Sequence, residues 1–94
     1  MLNLSIEQTK ALSRARSIYG MESQNIILIQ ECCELVVAIT DYLRGRCGVE
    51  MVAEEIADVS ICCESFSRHE RIEDRVRTLA DLKLTRLRDQ LKDT

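Results

Sequence analysis

Proline is absent from the 94 residues, and glycine occurs only three times. Nothing therefore forces a break inside a helix, and the backbone has few places to turn sharply. Period-2 alternation of β-branched residues is missing too, which removes the usual sign of a half-buried strand. No apolar run is long enough to span a bilayer. The first residues lack the layout of a secretory signal, because Leu2, Leu4 and Ile6 are separated by polar residues. Basic residues are not in excess: 13 Lys and Arg against 16 Asp and Glu leave a formal net charge of −3. That balance argues against a general affinity for DNA, RNA or an anionic membrane. Histidine occurs once, at His69, and never three residues after a glutamate. The paired Glu-x-x-His motifs of a ferritin-like di-iron bundle are thereby excluded.

The cysteines lack the pattern of a disulfide framework. There are five, an odd number, and Cys32-Cys33 and Cys62-Cys63 are adjacent pairs inside helical patterns. A secreted framework spaces an even set through loops. A zinc site joining Cys32 or Cys33 to Cys62 or Cys63, with His69 nearby, is the sharper alternative, but no C-x2-C signature supports it. A helical cysteine is more often a small buried hydrophobe. With no signal layout and no disulfide pattern, the expected location is the cytoplasm.

What is present reads as one all-α domain over residues 1–94, a four-helix bundle-like arrangement of antiparallel helices at about 5–19, 23–44, 49–66 and 68–91. Ser5-Ile6-Glu7-Gln8 has the form of a capping box, and Gly20 is well placed to end the first helix. Gly45-Arg46-Cys47-Gly48 is the only clear glycine-bracketed turn, short enough to fold the third helix back on the second. Ser67-Arg68-His69-Glu70 has the form of a second capping box and is expected to open the fourth helix. There Ile72, Val76, Leu79, Ala80, Leu84, Leu87 and Leu91 make an apolar stripe expected to be buried. The second helix has two apolar faces, one of Ile26, Ile29, Cys33, Val36, Val37 and Leu43, the other of Leu28, Cys32, Leu35, Ile39 and Tyr42. One small domain can hardly cover a helix on both, so a homo-oligomer is expected, a homodimer or homotetramer.

The remaining stripe of the second helix carries Gln24, Glu31, Glu34 and Asp41. Glu31 and Glu34 are three residues apart, as are Glu55 and Asp58 on the third helix. At that spacing each pair projects from one helical face. Four carboxylates converging between two antiparallel helices repel one another unless a cation sits among them. All-oxygen ligation suits a hard divalent ion, Mg2+ or Mn2+.

Those acids, read in order with their surroundings, resemble a known family. Glu31-x-x-Glu34, a hairpin turn, then Glu54-Glu55-Ile56-Ala57-Asp58-Val59 looks like the EExxE and ExxD pattern of the MazG-like all-α nucleoside triphosphate pyrophosphohydrolases. Tyr19-Gly20 with Gln24 resembles the Y-G-x-x-x-Q opening of short, phage-type members. Tyr42-Leu43-Arg44-Gly45 and Lys83-Leu84-Thr85-Arg86-Leu87 match two further stretches, and the set at these spacings is fairly specific. Gln30 departs from the pattern, standing where its first acid is expected, which bears on an outer-shell or base-positioning role rather than on metal binding.

The resemblance implies hydrolysis of a nucleoside triphosphate to the monophosphate and pyrophosphate, with Mg2+ or Mn2+ held by Glu31, Glu34, Glu55 and Asp58. Glu34 and Glu54 are the candidates for taking the proton of the attacking water, although Glu54 also reads as an ordinary solvated charge. Lys83 is expected to reach a substrate phosphate or else to snorkel to solvent, and Arg86 is a more exposed second candidate. Gln24 is expected either to hydrogen-bond a base or sugar or to start its helix. The rival reading is a non-catalytic helical module that uses the acidic face and the apolar second helix to bind a partner.

Overall fold

A computed structural model describes residues 2–92 and residue 94, and it is all-α: α1 (Ile6–Tyr19), α2 (Met21–Leu43), α3 (Val49–His69) and α4 (Glu73–Leu91). Among the described residues there is no strand, and no helix is long and apolar enough to cross a membrane. The Ser5 capping box forms as expected: Ser5 Oγ accepts from the Gln8 amide at 3.1 Å, and the Ser5 amide donates to Gln8 Oε1 at 2.9 Å. Gly20 serves two helices at once. Its amide donates to the Arg16 carbonyl at 2.9 Å to close α1, and its own carbonyl accepts from the Gln24 amide at 3.1 Å to open α2. The φ of +81° at Gly20 suits only glycine without strain, and it lets α2 begin at Met21, two residues before the expected start.

The α2–α3 hairpin is the principal packing unit. Its turn is closed by the Gly45 amide on the Tyr42 carbonyl (3.0 Å) and the Arg46 amide on the Asp41 carbonyl (2.8 Å), with Gly45 at φ +73°. Ala38, 5% exposed, is the buried apolar residue of this seam. The Cys47 thiol sits 3.6 Å from the Ala38 carbonyl and ties the turn back to α2. α1 packs on α2 and reaches α3 through Arg16, whose Nη1 donates to Ser65 Oγ at 2.9 Å and to the Ser65 carbonyl at 3.3 Å. Beside Ser65, Glu64 is only 2% exposed, and its Oε1 meets Arg68 Nη2 at 3.4 Å.

The second expected capping box does not form. α3 continues through Ser67 to His69, and Ser67 is buried inside it. The helix ends when the Ile72 amide donates to the Ser67 carbonyl (2.9 Å) and the Arg71 amide to the Arg68 carbonyl (3.3 Å). This is the double closure of a Schellman motif, with Arg71 at φ +58° where glycine is the usual residue. The backbone thus ends one helix at the place where Ser67 was expected to start another. α4 opens five residues later than expected, at Glu73, with no side-chain cap.

That shift changes what α4 does. It packs on α3 near the junction, where Ile72 and Val76 are half-buried, and every described residue from Arg77 onward is exposed. The stripe of Leu79, Leu84, Leu87 and Leu91 is therefore uncovered, Leu84 at 62%. The first apolar face of α2, from Ile26 to Leu43, is also open to solvent, with Leu43 at 76%. The radius of gyration is 16.0 Å and the extents are 50 × 36 × 23 Å. A compact chain of this length has a radius of gyration of about 12 Å.

Candidate functional site

The hairpin brings the acids of α2 and α3 together. Glu31, Glu34 and Glu55 each offer a carboxylate oxygen, and these oxygens all lie within 4.8 Å of one another. Oxygens on one Mg2+ are at most about 4.2 Å apart, at roughly 2.1 Å from the metal. Small side-chain rotations would close the difference. Asp58 is exposed and stands outside the close set, but it lies near enough for its charge to act on both Glu31 and Glu55.

Two of these acids differ from ordinary surface carboxylates. Glu31 and Glu55 are half-buried, and each keeps its Oε2 shielded from water with no hydrogen-bond partner. Burial raises the pKa of Glu31, and the charges of Glu34, Asp58 and Glu55 raise it further. Burial likewise raises Glu55, followed by Glu34, Asp58 and Glu54. Among the described residues no basic side chain forms an ion pair with any of the four acids. A buried carboxylate oxygen without a partner is costly, and a hard cation is the group that satisfies several at once. The donor set fits a Mg2+ or Mn2+ ion held by Glu31, Glu34 and Glu55, with Asp58 beside them.

Glu34 and Glu55 also line an open groove of about 450 Å³, whose walls include Val37, Asp41, Arg46 and Met51. A groove of this size is in the range that takes a small molecule. Glu54 is exposed at the flank, and its charge acts on Glu55. Gln30 lies in a different groove, with Tyr19, Met21, Ile26 and Ile27, so the position that departs from the family pattern is not among the clustered acids.

The other expected binding residues are not gathered there. Gln24 stands two helical turns before Glu31, against Met21, Asn25, Cys62 and Ser65, in a cleft of about 10 Å³. That space is near the size of one water and admits neither a base nor a sugar. Lys83 and Arg86 are exposed on α4, beyond its contact with α3. Within one chain they are not brought to the acids. All five thiols are free. Burial pushes the Cys62 and Cys63 thiols up, and Glu31 adds to the effect at Cys62, so both stay protonated. Among the described residues no cysteine or histidine joins a group of three able to hold a metal. Reading the sequence missed the placement of Arg46 on the groove, because its glycine-bracketed segment signals a turn and nothing about the direction of the arginine.

Fold and site together define a small all-α chain with a carboxylate cluster between two antiparallel helices. No family model, curated protein or solved structure matches the chain.

Proposed function

We propose that this chain is a metal-dependent nucleoside triphosphate pyrophosphohydrolase of the MazG-like kind, releasing a nucleoside monophosphate and pyrophosphate. The observation that carries the reading is the pair of shielded, unpartnered oxygens on Glu31 and Glu55, clustered with Glu34 between α2 and α3 and without an ion-pair partner among the described residues. The order of motifs around those acids is the reason for choosing a triphosphate over other anionic substrates. A bound Mg2+ or Mn2+ supplies charge neutralisation at the phosphate oxygens and a more acidic water.

The chain's own residues do the rest. Glu31, Glu34 and Glu55 hold the ion from two helices, so its position is set by the packing of α2 on α3. Asp58, exposed beside them, adds negative charge and would be a further ligand. Glu34 is the more exposed member of the close set and the first candidate to take the proton of the attacking water; Glu54 is the second candidate. The groove beside Glu34 and Glu55 receives the phosphate chain.

Self-association belongs to the same proposal. The exposed face of α2 and the leucine stripe of α4 are too extensive for single surface side chains, and a second copy of the chain carries complementary apolar faces. In such an assembly Lys83 and Arg86 are free to serve the acidic groove of a neighbouring subunit. A partner-binding module without catalysis is the second reading, and the same uncovered apolar faces favour it.

The deciding experiment incubates the protein with a panel of nucleoside triphosphates and Mg2+ and identifies the products. Pyrophosphate and monophosphate, abolished by chelator and by Glu55→Gln, are expected. Orthophosphate and a diphosphate would remove the α-phosphorus mechanism, and no turnover despite saturable Mn2+ binding would favour the non-catalytic module.

A further inference from the structure

We infer that Arg46 is the side chain that binds the phosphate chain of the substrate, a role that rests on the triphosphate reading above. Arg46 lines the same groove as Glu34 and Glu55, and its backbone is fixed by the 2.8 Å bond from its amide to the Asp41 carbonyl. Gly45 before it and the Cys47 thiol after it are both tied back to α2, so the arginine leaves a turn that is already ordered. Its guanidinium forms no ion pair among the described residues, although Asp41 lines the same groove.

Charge balance explains why the groove needs such a group. The four ionised carboxylates with one divalent ion would leave about −2, and Asp41 on the groove wall adds to that charge, which repels a polyphosphate. An uncancelled guanidinium at the rim opposes that repulsion, and its planar fork donates two parallel hydrogen bonds to phosphate oxygens. Lys83 and Arg86 cannot fill this place within the same chain, because α4 leaves the site. Two tasks are thereby separated: the carboxylates hold the ion and the hairpin turn holds the anion.

The test uses inorganic tripolyphosphate as the probe and Mn2+ as the ion. Binding of Mn2+ alone is followed by electron paramagnetic resonance, and binding of tripolyphosphate in saturating Mn2+ by calorimetry. Arg46→Ala should leave Mn2+ binding at least as tight as in the wild type and weaken tripolyphosphate by roughly tenfold or more. Arg46→Lys should recover part of that loss, since it restores the charge without the fork. Arg44→Ala, an exposed arginine of the same turn that does not line the groove, should change neither measurement. Wild-type affinity for tripolyphosphate in Arg46→Ala, an equal loss in Arg44→Ala, or no tripolyphosphate binding by the Mn2+-loaded wild type would each overturn the assignment while leaving the metal site standing. Absence of Mn2+ binding by the wild type would instead overturn the metal reading, and the role of Arg46 with it.

Discussion

The α2–α3 hairpin and the α4 arm both leave apolar side chains open, but only the hairpin also shields polar groups without partners. In the hairpin the helices approach closely enough to bury Ala38, and besides the open apolar face of α2 they leave polar groups over: carboxylate oxygens of Glu31 and Glu55 shielded from water without a hydrogen-bond partner. In α4 the polar side chains meet solvent and each other, as in the Arg77–Asp74 pair at 3.4 Å, and the groups left over are apolar. Shielded, unpartnered carboxylate oxygens and an uncovered apolar face are different deficits. Under the proposed function an ion that binds the folded state would meet the first, and another copy of the chain the second. Each is a cost to the folded chain, and the two can be probed by separate additions.

The largest expected effect separates the two regions by chemistry. Glu55→Gln removes one of the proposed ligand charges and should lower the proposed pyrophosphohydrolase activity by about a hundredfold or more. Measured in chelator, the same variant should melt higher than wild type, because it removes the repulsion between Glu55 and its neighbours Glu31, Glu34, Glu54 and Asp58. Saturating Mg2+ should then raise the wild type more than the variant. A variant that melts lower in chelator would mean that the acids are structural.

Next in size is the assembly. Leu84→Glu with Leu87→Glu on α4 should convert an oligomer into smaller species, as read by light scattering at micromolar concentration, while Mn2+ binding to the hairpin persists. A wild type that is monomeric at that concentration would show that the apolar stripe serves some other partner.

The pH dependence follows from the raised acids. Because Glu31 and Glu55 have higher pKa values when folded than when unfolded, the folded apo protein binds more protons in the window just above the ordinary glutamate range. Its stability should therefore fall as pH rises through that window. Thermal melts in chelator should show this decline toward neutral pH, and Glu31→Gln or saturating Mg2+ should flatten it. A slope unchanged by both would place the titrating groups elsewhere.

The smallest effect tests the joint between the regions. Arg71→Gly relieves a left-handed residue and should stabilise the chain by about 1 kcal/mol without altering Mn2+ binding. A loss of stability in denaturant titration would mean that the Arg71 side chain contributes more than its backbone costs.

Much of the fold was legible because its signals are local. The Ser5 box, the ends of the helices at Gly20 and Gly45, and the pairing of Glu31 with Glu34 and of Glu55 with Asp58 depend on neighbours within about one helical turn. What lies across the structure was not legible. Ser67-x-x-Glu70 has a capping sequence, yet the decision fell to backbone bonds that close α3 around Arg71, and so α4 starts late and leaves the bundle. The leucine stripe of α4 has the spacing of a buried face, but periodicity marks which residues want cover and cannot provide it. In the acidic site, the sequence by itself determined which carboxylates share a face. Only the packing of α2 on α3 decided that Glu31 and Glu55 are half-shielded, that Asp58 is left exposed, and that Arg46 stands on the groove. Side-chain direction follows from helical geometry, whereas desolvation depends on the surface that comes to lie opposite.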